Sequence, residues 1–353
     1  MPFKFLKNSL RGCLSHSMEN LEGFRSLIKS PKKIVITTHS NPDADALGSS
    51  LALYHFLDGL GHRVQVISPN DYPEFLYWMP GHQEVLVYDG PDMDKCKELI
   101  ESAEVIFCLD FNGLNRIKKM EDPVRMATAK KVLIDHHLDP EDFADFEMWN
   151  TGAAATAELI FDLIEQMESA DAITNDMADL IYAGIMTDTG SFKHPSTTAK
   201  VHRTVAKLID LGANINQVNR NIYDTNSIDR LRFMGYAFLK KLVVKEDLGI
   251  AYFVISKKDF EDFKLKSGDT EGLVNYALSL KGIIMATIII EREDEVKLSF
   301  RSVGAYAVNT FAQEHFMGGG HKNASGGASA DGLDQTVEKF EKLIESYTQQ
   351  YKQ

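Results

Sequence analysis

The sequence predicts an α/β protein in which a doubly wound, mainly parallel sheet forms an N-terminal domain and a smaller α/β domain follows it. Three observations carry this prediction. Short β-branched runs alternate with apolar-periodic helical stretches over the first 211 residues, which is the pattern of a parallel sheet. Several of the runs end in an acidic residue, and from about residue 245 the pattern starts again. At 353 residues the chain is also long for a single core.

In order, KKIVITTH reads as a strand, ALGSSLALYHFLDGLG as a helix closed by Gly61, and HRVQVIS as a second strand. EVIFCLD and KKVLID are two further strands, and helices read at 156–168, 174–187 and 198–211. The stretch 213–244 is polar and then helical and is expected to connect the domains, giving 1–212, 213–244 and 245–353. The second domain reads as the strand GIAYFVIS, a helix at 271–280, strands at 283–291 and 296–301, a glycine-rich loop and the helix DQTVEKFEKLIESYTQQY. There are no repeats or low-complexity stretches.

Composition narrows the function classes. Lys and Arg number 38 against 51 Asp and Glu, a net charge of −13. Affinity for long nucleic acid comes from neutralising many phosphates, so this balance argues against a sheath for a long polyanion. A short phosphorylated substrate in a local cationic pocket remains compatible. Cys13, Cys96 and Cys108 are odd in number and lack metal-type spacing, so they read as reduced packing thiols of a cytoplasmic protein. The opening MPFKFLKNSLRGCLSHSMENLEGF lacks the apolar core of a signal peptide. GIIMATIII at 282–290 is too short for a membrane span and reads as a buried strand.

The chemistry begins at HSNPDADALGSS, where His39, Asp43 and Asp45 fall between a strand and a helix. Either aspartate could cap the helix, which leaves His39 unexplained. Asp110 ends EVIFCLD, Asp135 ends KKVLID and Asp188 follows LIYAGIM in MTDTGSF. Open α/β sheets bind ligands beyond the carboxyl ends of their strands. Loops sharing that edge would therefore bring five carboxylates and two or three histidines together. Each pair of like charges about 4 Å apart in a partly buried setting repels by about 4 kcal/mol, so the cluster needs cations. Mixed carboxylate and imidazole donors suit manganese or a similar first-row ion. This many ligands fit two ions about 3.5–4 Å apart, the arrangement that hydrolyses phosphate esters.

VLIDHH, residues 132–137, places Asp135, His136 and His137 at the mouth of a buried strand. Side chains alternate on an extended backbone, so one imidazole is expected to ligate metal and the other to face substrate. Asp135 is left to hold an imidazole in its metal-binding tautomer.

HxNPDxDALGS, CLDFNGLNR, LIDHH, MTDTGSF and GGGHKNASGG, in this order between residues 39 and 327, resemble the DHH phosphoesterase superfamily. Within it they resemble the DHH–DHHA1 members: the nanoRNase and phosphoadenosine-phosphate phosphatase group, and relatives hydrolysing cyclic dinucleotides or their linear products. The resemblance implies a two-manganese site in the cleft between the domains. His39 and Asp43 would hold one ion, Asp45 and His136 the other, with Asp110 bridging and Asp188 completing the set. It further implies a bridging hydroxide as nucleophile and His137 against the phosphate, with His137 and Asp135 as the catalytic candidates. Ala44 departs from the glycine that many relatives carry, with little expected effect because the ligands flank it.

Substrate contacts are expected from FMGGGHKNASGG at 316–327, where Gly318, Gly319 and Gly320 precede His321. Glycines let backbone N–H groups approach a phosphate closely. A plain turn has no need of His321, Asn323 and Ser325 together. Arg301, in LSFRS, ends a strand and could pair with a phosphate; as an edge arginine it could equally be a surface residue, and the resemblance favours function. Arg116 and Asn112 lie similarly just after Asp110. His16, His55, His62, His82, His194, His202 and His315 are assigned to surface or packing, and DYPEFLYWMPG at 71–81 to core and loop.

The expected activity is hydrolysis of di- to tetranucleotides of RNA to mononucleotides, and of adenosine 3′,5′-bisphosphate. A phosphodiesterase of cyclic di-AMP or of pApA is the alternative. A family-II-type pyrophosphatase lacks the GGGH loop, and a long-strand exonuclease would need further domains and a basic channel. A non-catalytic nucleotide-binding regulator is opposed by six intact candidate ligands. Neither a membrane nor long nucleic acid is expected as a partner, and a homodimer is left open.

Overall fold

Aliphatic, β-branched runs bounded by polar residues form the first sheet. Its strands are Lys33–Thr38 (β1), Arg63–Ser68 (β2), Leu86–Val87 (β3), Val105–Leu109 (β4), Lys130–Asp135 (β5) and Phe146–Trp149 (β6). They lie in the order β3-β2-β1-β4-β5-β6, and every pairing is parallel. The structure is a computed structural model that describes residues 17–168, 170–266 and 268–349. It divides into the units Met1–Thr225 and Asn226–Gln353.

Both faces of this sheet are covered, as a parallel sheet requires. Ile34, Ile36, Phe107, Val132 and Ile134 pack into one core, while the intervening Val35, Ile106, Cys108 and Leu133 pack into another. The helices are Leu21–Leu27 (α1), Ala44–Gly59 (α2), Met93–Ser102 (α3), Glu121–Met126 (α4), Thr156–Met167 (α5), Asn175–Asp188 (α6), Ala199–Asp210 (α7) and Ile215–Tyr223 (α8). Helix α2 is buried on almost every side over its first ten residues. It packs on α6 so closely that a Cβ at Gly48 would lie 2.6 Å from the Leu180 carbonyl. Gly61, at φ +85°, follows the helix end, the role expected of it.

The strand order reverses between β1 and β4: β2 and β3 extend to one side, β5 and β6 to the other. Such a switch point opens a crevice at the carboxyl ends of the two central strands. His39 is the first residue after β1 and Asp110 the first after β4.

The second unit holds Ile228–Tyr236 (α9), Leu242–Lys245 (β7), Ile250–Ile255 (β8), Lys257–Asp262 (α10), Leu273–Leu278 (α11), Met285–Glu291 (β9), Val296–Ser302 (β10), Val308–His315 (α12), Gly319–His321 (β11), Ala324–Ser329 (β12) and Leu333–Gln349 (α13). Its six strands lie in the order β11-β12-β10-β9-β8-β7, with only β8 and β9 parallel. The expected glycine-rich loop is instead a hairpin in which Gly319 pairs with Gly326, Gly320 with Ser325 and His321 with Ala324. The stretch 213–244 contains α8 and α9, and the boundary between the units falls between them. Strands β3 and β6 escape a sequence reading because they are two and four residues long, and β6 carries the buried Glu147.

Cys96 and Cys108 are free and buried, whereas Cys13 and His16 lie outside the described residues. Within 71–81, Leu76 and Met79 are core while Tyr77 is exposed. No helix among the described residues is long and apolar enough to cross a membrane.

Candidate metal centre

After β1 the chain turns sharply. His39 is buried, its Nδ1–H donates to the Ser40 carbonyl (2.9 Å), and its Nε2 lies 3.4 Å from Asp110 Oδ2. Asn41 adopts φ +56° and is held by Asn70: its N–H donates to Asn70 Oδ1 (2.7 Å), and Asn70 Nδ2 donates to its Oδ1 (3.1 Å). Asp43 then caps α2, with Oδ1 accepting the N–H groups of Asp45 and Ala46, both at 3.0 Å. Capping and metal ligation are therefore compatible at Asp43, because only one of its oxygens makes the cap.

Asp45 is almost wholly buried in the first turn of α2. Its Oδ2 accepts the Thr156 N–H (2.7 Å) and its Oδ1 the Ala157 N–H (2.8 Å). Helix α5 starts after Ala155, which has no side-chain oxygen to cap it. A carboxylate from 111 residues upstream thus satisfies the helix N-terminus. Gly184 permits the approach, since a Cβ there would lie 2.7 Å from Asp45 Oδ1.

Asp110 occupies the centre, in the left-handed region at φ +63°. Its Oδ1 lies 3.4 Å from His136 Nε2 and 3.8 Å from His137 Nδ1, and accepts the Thr156 hydroxyl at 2.9 Å. Asp188, the last residue of α6, places Oδ2 3.3 Å from His136 Nε2. Among the described residues of the first unit, three groups drawn from that unit alone have donor atoms mutually within 4.8 Å: His39 with Asp43 and Asp110, Asp45 with Asp110 and His136, and Asp110 with Asp135 and His137. Asp110 belongs to all three.

Strand β5 stops at Asp135, so the alternation expected of His136 and His137 is not imposed by a strand. Their rings meet edge to face at 4.9 Å, and both bring a nitrogen near Asp110. The hydrogen bonds distinguish them. His136 donates from Nδ1 to the Ala153 carbonyl (3.3 Å), turning Nε2 toward Asp45, Asp110 and Asp188. His137 donates from Nδ1 to Asp135 Oδ1 (2.7 Å). The imidazole that Asp135 holds is thus that of His137.

Electrostatics describe a cluster short of positive charge. Burial disfavours the His39 imidazolium, but Asp110 and Asp43 outweigh it and raise the group to about 9. Burial likewise works against charge on His136, and Asp110, Asp188 and Asp45 raise it well above the ordinary range. Asp45 is pushed well up by burial and by the Asp110 and Asp188 charges, against the two helix N–H donors that favour its anion. Asp188, although 30 % of its side chain reaches solvent, is raised to about 6 by the packing around it and by Asp43 and Asp110. Burial opposes ionisation of Asp110, yet His136, His39 and His137 hold it well below the carboxylate range. Protons gather where divalent cations would serve better, and the imidazole–carboxylate donors suit a first-row ion. The residues present fit such metals.

A pH dependence follows for the metal-free protein. His39 is raised from 6.5 to about 9, so its contribution to stability is complete below about pH 6.5 and is lost as pH rises through 9. In chelator, the melting temperature should fall from pH 6 to pH 9, and His39→Gln should flatten that fall. An equal fall in both proteins would refute the assignment.

The structure treats the substrate candidates unequally. Asn112 uses Nδ2 to bind the Leu138 carbonyl (2.6 Å) just beyond the histidine pair. Half-buried Arg116 gives its carbonyl to the Ser40 N–H (2.9 Å), next to His39. On β10, Arg301 is half-buried between Ala286 and Ala324 and donates from Nη1 to the Phe300 carbonyl (3.0 Å). His321 ends β11, half-buried.

Asn323 and Ser325 make bonds within the second unit. Asn323 Nδ2 bonds Ser302 Oγ (2.8 Å) and the Tyr306 carbonyl (3.0 Å), and buried Ser325 donates to the Val308 carbonyl (2.9 Å). Both bind the hairpin to its own unit. Much of the glycine content is steric as well: a Cβ at Gly318 would lie 2.1 Å from the Gly326 carbonyl, whereas Gly319 is open.

Among the histidines assigned to surface or packing, His194 donates from Nδ1 to the Asp188 carbonyl (3.1 Å) and so touches a candidate ligand. No motif in the sequence marks Thr156 or the Ala153 carbonyl as part of the centre. The available signal was negative: NTGAAAT leads into a helix with no residue of its own to cap it.

Residues 33–185 match the N-terminal domain of the DHH family and residues 247–353 match the DHHA1 domain. The chain is 28% identical to the bifunctional oligoribonuclease and PAP phosphatase NrnA of Bacillus subtilis, over 89% of this chain and 95% of that protein. It is 29% identical to the protein of that name from Thermus thermophilus, over 89% and 88%. The crystal structure of an exopolyphosphatase-related protein from Bacteroides fragilis superposes with a TM-score of 0.91 at 39% identity, covering 96% of this chain and all of that one. With these matches along almost its whole length and the DHH histidines gathered around Asp110, the chain belongs to the DHH phosphoesterase family in its DHH–DHHA1 form.

Proposed function

We propose that this protein is a metal-dependent phosphoesterase that hydrolyses di- to tetranucleotides of RNA to mononucleotides and dephosphorylates adenosine 3′,5′-bisphosphate. The observation that carries the reading is one carboxylate, Asp110, shared by three groups of metal-type donors at the switch point of a parallel sheet. The names of the similar proteins, oligoribonuclease and PAP phosphatase, support the substrate class.

His39 and Asp43 would hold one divalent ion, Asp45 and His136 a second, with Asp110 common to both and Asp188 completing the set. Bound there, such ions supply Lewis-acid polarisation of phosphoryl oxygens and water activated near neutral pH. His137 presents its Nε2 side to a phosphoryl oxygen while Asp135 fixes the ring through Nδ1. Arg116, whose main-chain carbonyl accepts the Ser40 N–H, carries a planar guanidinium suited to paired bonds with a phosphate. In the second unit, Arg301 and His321 are the proposed contacts to the rest of the substrate.

The test is a panel of pApA, cyclic di-AMP, short RNA, adenosine bisphosphate and pyrophosphate, with products resolved. Activity should vanish in chelator after dialysis and return better with manganese than with magnesium. Full activity in excess chelator would sink the metal reading.

Length selection is expected too. A net charge of −13 provides no track for a long polyanion, so di- to tetranucleotides should be cut at least about tenfold faster than strands of about twenty residues. Arg301→Ala and His321→Ala should erase much of this contrast by raising KM for short substrates. If a long single strand is degraded as fast as a dinucleotide, a processive exonuclease is the better description.

A further inference from the structure

We propose that Thr156 is a positioning residue of the metal centre, its main-chain N–H holding Asp45 and its hydroxyl holding Asp110; this rests on the metal-dependent reading above. The two bonds are 2.7 and 2.9 Å, and they join carboxylates that follow different strands, 111 and 46 residues away in sequence. Thr156 is fully buried, so water does not compete for either bond.

The hydroxyl acts on the carboxylate where orientation matters most. Asp110 Oδ1 accepts from Thr156 and also faces His136, while Oδ2 faces His39. Rotation of that carboxylate would disturb every donor group that contains it. The backbone beneath Asp110 is left-handed, a conformation that an L-residue keeps only when its surroundings impose it. A hydroxyl on a β-branched side chain, stiff about χ1, is a suitable anchor.

The turn that carries Thr156 is itself braced. Buried Glu158 accepts the Ala154 N–H (2.8 Å) through one oxygen and the Lys200 ammonium (2.7 Å) through the other, and Lys200 also reaches Asp162 (2.7 Å). The carbonyl of Ala153, one residue before that N–H, orients His136. One turn, 153–157, therefore sets the orientation of Asp45, Asp110 and His136 together.

The test uses the full chain stripped of metal, titrated with Mn2+ alone by calorimetry, alongside thermal unfolding in chelator. Thr156→Val keeps the shape and removes the hydroxyl, whereas Thr156→Ser keeps the hydroxyl. The valine variant should bind Mn2+ about 10- to 100-fold more weakly, the usual effect of losing an outer hydrogen-bond partner of a ligand. The serine variant should stay within about threefold of wild type on the same reasoning. Thr156→Ala carries the same comparison where the valine variant does not fold. Equal Mn2+ affinity in wild type and Thr156→Val, with only a lowered melting temperature, overturns the proposal alone. Wild-type protein that takes up no Mn2+ overturns the metal-centre reading and the proposal with it.

Discussion

Replacing Asp110 by asparagine is expected to abolish tight Mn2+ binding and to slow dinucleotide hydrolysis by at least about 10³-fold, or about 4 kcal/mol of transition-state stabilisation. The substitution is nearly isosteric. It leaves the Asp110 N–H bonded to the Ile134 carbonyl, and the new amide can still accept the Thr156 hydroxyl. It removes the negative charge and one ligand oxygen from the residue common to all three donor groups. The imidazolium forms of His39 and His136 also lose their main partner, so the metal-free variant should lose the extra stability that low pH gives the wild type. Calorimetry with Mn2+, turnover of pApA and melting in chelator at two pH values check these outcomes. Turnover within tenfold of wild type would show that Asp110 is not the shared ligand.

The second large effect should separate the neighbouring histidines. His136→Ala is expected to empty the centre of metal, because its Nε2 faces Asp45, Asp110 and Asp188. His137→Ala should leave the metal bound and lower kcat by about 10²–10³-fold, the usual cost of removing one donor to a developing oxyanion. Asp135→Asn should follow His137→Ala rather than His136→Ala, since Asp135 Oδ1 accepts from His137 at 2.7 Å. Metal counting with kinetics on the three variants decides the matter. Equal metal loss in both histidine variants would refute the division, and the 3.8 Å approach of His137 to Asp110 makes that a demanding comparison.

Legibility in the sequence followed the range of the interactions. The central strands β1, β2, β4 and β5 were readable because each is a run of five or six residues with its own apolar pattern. Two-residue β3 has no pattern to read, and the hairpin β11–β12 is built of glycines whose use depends on a partner strand. Asn323 and Ser325 stand beside a glycine run, and the sequence there does not show which groups they bond within the fold. Their acceptors, the carbonyls of Tyr306 and Val308, lie 17 residues away in each case.

By itself the sequence determined the α/β class, the order of the main elements and the residue types stationed where strands end. These are local properties, written in periodicity and in short motifs such as HSNPDAD and LIDHH. Tertiary structure alone decided the pairings. Asp135 holds His137 rather than His136, whose Nδ1 is taken by the Ala153 carbonyl 17 residues away. Asp45 caps α5 from 111 residues away because the helix begins without a capping side chain of its own and Gly184 leaves room for the carboxylate. A side chain's type is fixed where it stands in the chain, but the partner it satisfies is set by which strand ends fold beside one another.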